Sequence, residues 1–477
     1  MSKKRSNRRT KKKKKKEADL MRTDVWSLVA TQEQKHQMQL TVNEYRAFLT
    51  PLVLIFNAQW AKLATLSSTE RINAVEKMIH ATAKNPAPKH NYYQKVLDKN
   101  PSFRKFPSYL RRAAIADAIG IVSSFQTRYR EWQSGIRKHR QALPPRLTAM
   151  CKSYPALYQG QQIKYGVNYG TVDIKVWDGT DWVWLKNIKV KKHGGNRHLT
   201  KGNQLCSPAL VIDNKKCQLS MPVEVKQVER QEAEYICSVD LGINNAAVAA
   251  IVGRDGTVKA RKFINPARDI DCRNRRRMKI AKKAKQTSNI TGKKLPRGFC
   301  KGLERKSSNL NLEIGRTVAR EIVKFALLHG VKVIVLENLF GWKAKAGKKG
   351  SLMKQKFHLW CHSKIGELIN DKWTEVGGVV QTINPKYTSA VAFDGSGKVL
   401  RSKINYSLAK FSTGKRYHAD LNASYNIGAR YWYSVIVGDR HFLWVFDSKS
   451  SNGTSRTPIV LGTLRSLATF KRTNPHP

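Results

Sequence analysis

The sequence lacks any uninterrupted apolar run of about 18 residues, so we expect no membrane-spanning helix and no membrane partner. No apolar segment follows the basic N-terminus, which argues against a secretory signal. Cysteine is scarce: the 7 cysteines are widely spread, and no two of them form a CxxC pair. An odd number of scattered cysteines favours a reducing compartment, and we predict a cytoplasmic protein.

Acidic residues are also few, with 33 Asp+Glu against 89 Lys+Arg in 477 residues, which gives a formal net charge of +56. A field of this sign attracts polyphosphates and makes their binding steeply salt-dependent. Hydrophobic residues still make up 41% of the chain. The chain can therefore bury a core, and we predict a nucleic-acid-binding protein of about two to four domains.

The N-terminal half contains three predicted segments. Residues 1–22 are a basic, disordered tail, because like charges repel and nothing apolar interrupts them. Residues 23–150 carry apolar residues at steps of three and four, which predicts a helical domain. Residues 151–232 alternate and contain the turns DGTD and DNKK, which predicts antiparallel hairpins in a small barrel or sandwich.

The C-terminal half alternates strand-like and helix-like segments over residues 233–440, which is typical of an α/β domain. Within it, VKVIVL is too apolar for a half-exposed strand and predicts a central one, covered on both faces. Residues 384–416 interrupt the alternation as a Gly- and Ser-containing insertion. Residues 441–477 are predicted to be a weakly ordered C-terminal tail.

Aromatic side chains interleave with Lys and Arg in the loops of the helical segment. This mixture suits base stacking beside phosphate contacts. An aromatic plug in a small helical bundle explains it equally well. The residues concerned are Tyr92, Tyr93, Phe103 and Phe106.

Three acidic residues each stand at the edge of an apolar segment. Asp240 ends the strand-like run YICSVD, Glu337 follows VKVIVL, and Asp420 opens the helical segment DLNASYNIGAR. Taken singly, they could be a turn residue, an exposed strand end and a helix N-terminal charge. Their order along the chain and the apolar strands before the first two predict that they meet at one sheet edge.

Three converging carboxylates suit a pair of hard divalent cations. Mg²⁺ or Mn²⁺ prefers carboxylate oxygen, and two ions about 3.5–4 Å apart can activate water and stabilise a leaving oxygen. We predict that Asp240 bridges the ions, that Glu337 holds one of them, and that Asp420 completes the set. The predicted activity is metal-dependent phosphodiester hydrolysis.

The densest internal basic run lies within the α/β domain. Contact with a nucleic-acid backbone is the favoured interpretation, and a solvated helix face is the alternative. The run consists of Arg273, Arg275, Arg276, Arg277, Lys279, Lys282 and Lys283.

Two further clusters carry weaker signals. His358, Cys361 and His362 share a helical face and could bind a metal, although a partly buried helix face is the better explanation. Asn422 and Asn426 lie one helical turn apart. Asn426 could reach a phosphate or a metal-bound water, or it could be an exposed residue without a function.

The motifs VDLGINN, VIVLENL and HADLNASYNIGAR resemble, in order and spacing, the three RuvC-type motifs of the TnpB family. That family comprises transposon-encoded RNA-guided nucleases and includes the ancestors of compact type V CRISPR effectors. The resemblance covers about residues 235–430. It implies a multidomain α+β protein with an RNase H-like (RuvC) nuclease domain at residues 233–440.

The resemblance also implies a helical recognition domain at residues 23–150 and a β-rich wedge-like domain at residues 151–232. The implied partners are a guide RNA and target double-stranded DNA, in a prokaryotic protein associated with the nucleoid. The catalytic and metal-binding roles are carried over to Asp240, Glu337 and Asp420 only.

One departure from the family concerns its four-cysteine zinc ribbon, which lies between the second and third motifs. Here the sequence is NPKYTSAVAFDGSGKV, with Ala392 and Gly395 where the first cysteine pair would fall. Four thiolates cannot be assembled from this segment, so we predict a degenerate ribbon-like insertion without structural zinc.

Three functions remain open at this point. The leading one is an RNA-guided DNA endonuclease with two Mg²⁺ or Mn²⁺ ions, of transposon or compact CRISPR origin. The alternative is an RNA-guided DNA-binding protein with little or no cleavage, used for silencing or transposon targeting. A guide-free junction nuclease is disfavoured by the large basic N-terminal half. A homodimer is a further alternative, because the helical domain is short for wrapping a guide–target hybrid.

Overall fold

The structure is a computed structural model, and the chain divides into two compact units, residues 1–226 and 227–477. The described residues are 20–80, 100–136, 143–147, 152–192, 198–199, 203–213, 216–226, 228–242, 245–293, 295–296, 298–339, 362–402, 404–405, 407–438, 444–447 and 455–473. Among them, no helix combines the length and the apolar character needed to cross a membrane.

The first unit is built on a seven-stranded antiparallel sheet. Its strands are β1 (Leu20–Val29), β2 (Ile163–Tyr165), β3 (Thr171–Trp177), β4 (Trp182–Lys192), β5 (Gln204–Leu205), β6 (Ala209–Asp213) and β7 (Lys216–Val225). They lie in the order β2-β3-β4-β1-β7-β5, and β6 also pairs with β7. The hairpins predicted over residues 151–232 are confirmed.

Strand β1 corrects two predicted boundaries. Residues 20–29 fall in the predicted basic tail and helical domain, yet they form a strand between β4 and β7. The cause is a short alternating pattern, LMRTDVWSLV, which buries Trp26 and Leu28 in the sheet's core. The helical region is therefore an excursion between two strands of one sheet and begins only at Gln32.

The helical region contains α1 (Gln32–Ala58), α2 (Trp60–Leu63), α3 (Ser68–Ile79) and α4 (Ser108–Gln133). Thr31 and Gln34 form a capping box that starts α1. Phe103 and Phe106 are buried against Phe48, at ring-centroid distances of 5.1 and 4.3 Å. These two aromatics fill the helical core, so base stacking is the wrong prediction for them. Tyr92 and Tyr93 lie outside the described residues.

The second unit is an α/β unit around a five-stranded sheet. Its strands are β8 (Tyr235–Asp240), β9 (Ala247–Gly253), β10 (Val258–Ile264), β11 (Val333–Glu337) and β12 (Val379–Ile383), in the order β10-β9-β8-β11-β12. Strands β8, β9 and β10 are antiparallel neighbours, whereas β11 is parallel to both β8 and β12. Strands β8 and β11 lie where the sequence predicts them, in YICSVD and VKVIVL.

Helices cover both faces of this sheet. They are α5 (Ala267–Thr291), α6 (Lys301–Leu328), α7 (His362–Glu375), α8 (Ala419–Val437) and α9 (Leu461–Thr473). One core joins α6 and α7 to Cys237, Val239 and Ile334, and the other joins α8 and α9 to Ile236 and Val335. Strand β11 is thus a central strand covered on both faces, as predicted.

The C-terminal region differs from its prediction as a weakly ordered tail. Strands β16 (Trp444–Asp447) and β17 (Ser455–Pro458) form a hairpin, and α9 follows it. Ile459, Val460, Leu461 and Leu464 are buried. These apolar residues follow a polar, Ser-rich stretch, and the composition of that stretch predicts a tail. Burial of the apolar residues against the core of α8 stabilises helix α9.

Candidate active site

Asp240 and Glu337 end two neighbouring parallel strands at the same edge of the sheet. In the register of β8 and β11, Val239 lies opposite Leu336, so the two carboxylates come next on their strands. The preceding residues of both strands are buried, which fixes the strands in the core. The predicted convergence of these two side chains follows directly from this pairing.

Asp420 approaches from the first turn of α8, which packs on the face of the sheet that carries Ile236 and Val248. Asn245, in the segment joining β8 to β9, donates a hydrogen bond from Nδ2 to Asp420 Oδ2 at 3.2 Å. A Cβ at Gly242 would lie 2.6 Å from the Asn245 carbonyl oxygen. Glycine at that position therefore permits the close approach of the Asn245 carbonyl group.

The three carboxylates influence one another electrostatically. Burial raises the pKa of Asp240 well above its ordinary value, the charges of Glu337 and Asp420 raise it further, and Arg401 opposes them. Burial also raises the pKa of Glu337, against the hydrogen bond from Thr388 and the charge of Arg430. All three residues have intermediate solvent exposure.

The chemistry of this donor set fits hard divalent cations, because all three groups offer carboxylate oxygen. A cation would also offset the repulsion that opposes ionisation of Asp240. The side chains of the described residues do not form a preassembled group of three or more His, Cys, Asp or Glu ligands. The agreement with a metal site is therefore one of ligand type and charge.

Three residues beside the carboxylates were missed by the sequence analysis. Thr388 Oγ1 donates to Glu337 Oε1 at 2.6 Å. Arg430 and Arg401 carry positive charge near Glu337 and Asp240, respectively. The sequence did contain a signal for Arg430, because this residue continues the four-residue spacing of Asn422 and Asn426 along an otherwise apolar helix.

Asn422 and Asn426 do not face solvent. Both are fully buried in α8. Asn426 Nδ2 donates to the carbonyl oxygens of Thr388 and Val391, both at 2.9 Å. The alternative of an exposed Asn426 is therefore wrong. Its Oδ1 is buried without a hydrogen-bond partner among the described residues, and contact with a phosphate or a metal-bound water stays a prediction.

The basic run of α5 divides into two groups. Arg273 is buried and donates to Asn311 at 2.6 Å, and Arg277 donates to Glu304 at 2.6 Å. Arg276 donates to the carbonyl oxygen of Lys306 at 3.3 Å. These contacts join α5 to α6, and Arg273 in particular is a buried link between the helices, contrary to its prediction as a nucleic-acid contact.

The outer members of the run remain candidates for binding nucleic acid. They are exposed on α5, and their role stays a prediction; they are Arg275, Lys279, Lys282 and Lys283. Of the proposed His and Cys cluster, His358 and Cys361 lie outside the described residues. His362 is the first residue of α7.

The insertion at residues 384–416 and the strand after it form a small sheet of β13 (Leu400–Arg401), β14 (Leu408–Lys410) and β15 (Arg416–His418). Its core is aromatic: the ring centroids of Phe393 lie 5.6 Å from Phe411, 5.0 Å from Tyr417 and 5.2 Å from Tyr425. Ala392, at a position where the family has a cysteine, is buried. Side-chain packing therefore gives this insertion a core.

Comparisons with known proteins agree with the motifs. The model of the Aq_aa04 family matches residues 22–178, which is less than half of the chain. The TnpB-like protein aq_aa05 of Aquifex aeolicus (strain VF5) is 26% identical over 259 residues, which cover 51% of this chain and 79% of that protein. The chain is a relative of TnpB-like proteins. The resemblance predicted from the three motifs is thereby confirmed.

Solved structures show distant likenesses to this relative of TnpB-like proteins. A Cas12f1–sgRNA–target DNA complex gives a TM-score of 0.45 at 15% identity, covering 86% of this chain and 99% of that chain. The mini-RNA-guided endonuclease CRISPR-Cas_phi3 gives 0.47 at 12% identity, covering 85% and 91%. C2c1 of Alicyclobacillus acidoterrestris with single-guide RNA gives 0.44 at 11% identity, covering 91% and 73%.

Proposed function

We propose that this chain is an RNA-guided, divalent-metal-dependent DNA endonuclease with one RuvC-like site, formed by Asp240, Glu337 and Asp420. The observation that supports the proposal is the placement of these three residues near one edge of the sheet. Two end adjacent parallel strands, and the third lies close enough for its charge to raise the pKa of Asp240. Such a cluster is unfavourable in isolation and becomes favourable with a cation.

The sheet supports an RNase H-like assignment of the second unit. Three antiparallel strands are followed by two parallel ones, in the order 3-2-1-4-5 along the sheet. The long helix α8 covers one face and brings its first turn to the carboxyl ends of β8 and β11. This order and the position of α8 are typical of the RNase H-like fold.

Each carboxylate has a defined task in the proposed reaction. Bound Mg²⁺ or Mn²⁺, two ions in all, would supply a nucleophilic water and stabilise the leaving oxygen. Asp240, on the central strand, would be one of the three carboxylates that hold the ions. Glu337 is oriented by the Thr388 hydroxyl, and Asp420 is oriented by the Asn245 amide. Arg401 places a positive charge near Asp240.

The proposed guide RNA and target DNA rest on the TnpB-like relative and on the charge of the chain. With a net charge of +56, the protein can hold a polyanionic hybrid through its backbone. Sequence would then be read by base pairing between guide and target, while the protein contacts shape and a short flanking motif.

A second candidate is an RNA-guided DNA-binding protein with little or no cleavage. It is favoured by the insertion, which has Ala392 and Gly395 where the family has the first zinc-binding cysteines. If the ribbon normally helps to load substrate, its loss would weaken cutting. Retention of all three carboxylates argues for cleavage.

Two measurements decide between these functions. Sequencing of RNA that co-purifies with the full chain should reveal a discrete small RNA. Cleavage of a duplex matched to that RNA, in Mg²⁺, should disappear in Asp240→Ala while DNA binding persists. Asp271→Ala removes an exposed carboxylate of the same unit and should cut normally. Equal cutting by the Asp240 variant would refute the site, and binding without any cutting by the unaltered protein would establish the second candidate.

A further inference from the structure

Helix α8 carries a row of three buried polar side chains in an otherwise apolar setting. Asn422, Asn426 and Arg430 are spaced four residues apart and are 0%, 0% and 4% exposed. Residues at this spacing lie on one face of a helix. We name these three residues the polar ladder. A buried polar group without a hydrogen bond is destabilising, so each member needs partners.

The partners of the polar ladder all lie in one segment, residues 384–393, which follows β12. Asn422 Nδ2 donates to the Val391 carbonyl oxygen at 2.8 Å, and its Oδ1 accepts from the Phe393 amide at 2.8 Å. Arg430 Nη1 donates to the carbonyl oxygens of Asn384 and Lys386, at 3.0 and 2.6 Å. Together with the contacts of Asn426, these bonds fix the segment to α8 along its whole length.

The segment is held in a conformation that it would not favour alone. Tyr387 has a φ of 67°, in the left-handed region that a bulky residue rarely adopts. Arg430 binds the carbonyl oxygens of Asn384 and Lys386 just before it. Strained backbone of this kind persists when surrounding contacts over-determine it, and it concentrates at functional sites.

This segment delivers Thr388 to Glu337. Thr388 is 2% exposed, and its hydroxyl donates to Glu337 Oε1 at 2.6 Å, with the Pro385 carbonyl oxygen 3.0 Å away. The hydrogen bond engages Oε1 alone. Asp420 lies in the first turn of the same helix that carries the polar ladder.

We infer that Thr388 is a positioning residue of the proposed site: held by the polar ladder, it fixes Oε1 of Glu337 and leaves Oε2 for a divalent cation. The inference rests on the proposed function. A carboxylate can bind a cation through one oxygen or through both. Hydrogen bonds from outside the ligand set orient such ligands, and their loss typically weakens metal binding about 10–100-fold.

Arg430 supports the same arrangement through charge. Burial raises the pKa of Glu337, the charge of Arg430 opposes that rise, and burial lowers the pKa of Arg430 itself to about 10. Among the described residues, Arg430 Nε is buried without a hydrogen-bond partner.

The test uses Mn²⁺ alone as the probe and the purified full chain. Binding is measured by isothermal titration calorimetry, and thermal unfolding is measured without metal. Thr388→Val removes the hydroxyl and keeps the shape, whereas Thr388→Ser keeps the hydroxyl. Ser424→Ala is the matched control, because Ser424 is buried in α8 and donates only to the Leu421 carbonyl oxygen, at 2.9 Å. Asp240→Ala removes a proposed ligand.

We expect Thr388→Val to bind Mn²⁺ at least about tenfold more weakly, with Thr388→Ser and Ser424→Ala close to the unaltered protein. Normal Mn²⁺ binding by Thr388→Val, alongside lost binding in Asp240→Ala, would overturn the positioning role and leave the proposed function intact. Normal binding by Asp240→Ala would overturn the proposed metal site itself. If Thr388→Val and Ser424→Ala both bind Mn²⁺ more weakly, each in proportion to its loss of thermal stability, the positioning role would also be overturned.

Discussion

Gly428 marks the closest approach of α8 to the sheet, and replacing it with alanine should displace the helix. A Cβ at residue 428 would lie 2.9 Å from both Cβ and Cγ2 of Val252 on β9, and 3.1 Å from its Cγ1. Carbon atoms pack at about 3.5–4.0 Å, so helix and strand must separate by at least about 0.6 Å.

The expected loss of stability follows from two opposing effects. Overpacking in a core costs about 1–3 kcal/mol, while alanine favours a helix over glycine by about 1 kcal/mol. Gly428→Ala should therefore lower the free energy of unfolding by up to about 2 kcal/mol. Gly302→Ala on α6 is the control, because nothing lies within 4 Å of its Cβ position.

Displacement of α8 should also change the position of Asp420, which lies eight residues earlier, about 12 Å along the helix axis. Misplacement of a reacting group by about 1 Å can cost about 10²-fold in rate. We expect cleavage by Gly428→Ala to fall at least about tenfold, and that of Gly302→Ala to be unchanged.

The assays are urea unfolding, read as the midpoint and slope, and cleavage of a guide-matched duplex in Mg²⁺. Val252→Ala removes two of the three short contacts. The double variant Gly428→Ala/Val252→Ala should thus be more stable than the sum of the single changes by about 1 kcal/mol. If Gly428→Ala stabilises the protein as Gly302→Ala does and cuts normally, the helix does not press on the sheet as described.

The remaining predictions concern charge, the insertion and nucleic-acid binding. Because the folded pKa of Asp240 is raised, the folded state keeps this proton to higher pH than the unfolded state, and stability falls as pH rises through that range. Asp240→Asn should therefore raise the metal-free melting temperature at pH 7 and lose this advantage toward pH 4; an equal effect at both pH values would contradict the repulsion. Because side-chain packing forms the core of the insertion, Phe411→Ala should destabilise the second unit by about 3–5 kcal/mol. For the same reason, EDTA should leave the melting temperature of the unaltered protein unchanged. A melting temperature lowered by EDTA, with stoichiometric zinc in the untreated protein, would contradict a core formed by packing. Non-specific DNA affinity should fall steeply between 50 and 200 mM salt, and each exposed lysine of α5 changed to glutamine, Lys282 for example, should reduce the slope of log affinity against log salt by about 1; an unchanged slope would remove α5 from the binding surface.

The positions of Asp240, Glu337 and Asp420 at the ends of their elements could be predicted because each one is framed by its own local pattern. YICSVD and VKVIVL have the composition of buried strands, and Asp420 precedes a long apolar helix. The parallel pairing of the two strands then brings Asp240 and Glu337 to one edge of the sheet. Most elements of the second unit follow from such local signals.

The parts that escaped prediction depend on contacts between distant residues. Thr388 and Glu337 are 51 residues apart, and Arg430 reaches Lys386 across 44 residues. Strand β1 pairs with Val225 at one end, and no local feature of LMRTDVWSLV identifies that partner. Phe103 and Arg273 each lie in a segment rich in basic residues, which is typical of a nucleic-acid-binding surface. Only the packing of the folded chain shows that their side chains lie in the interior.

The place of β1 within its sheet has a consequence for biosynthesis. Its neighbours β4 and β7 end at Lys192 and Val225, so the ribosome must add well over 150 residues before the strand finds both partners. At typical elongation speeds this delay is on the order of 10–40 s. During that interval the intervening helices can assemble first, while an unpaired strand edge remains open to chaperones or to pairing with other nascent chains.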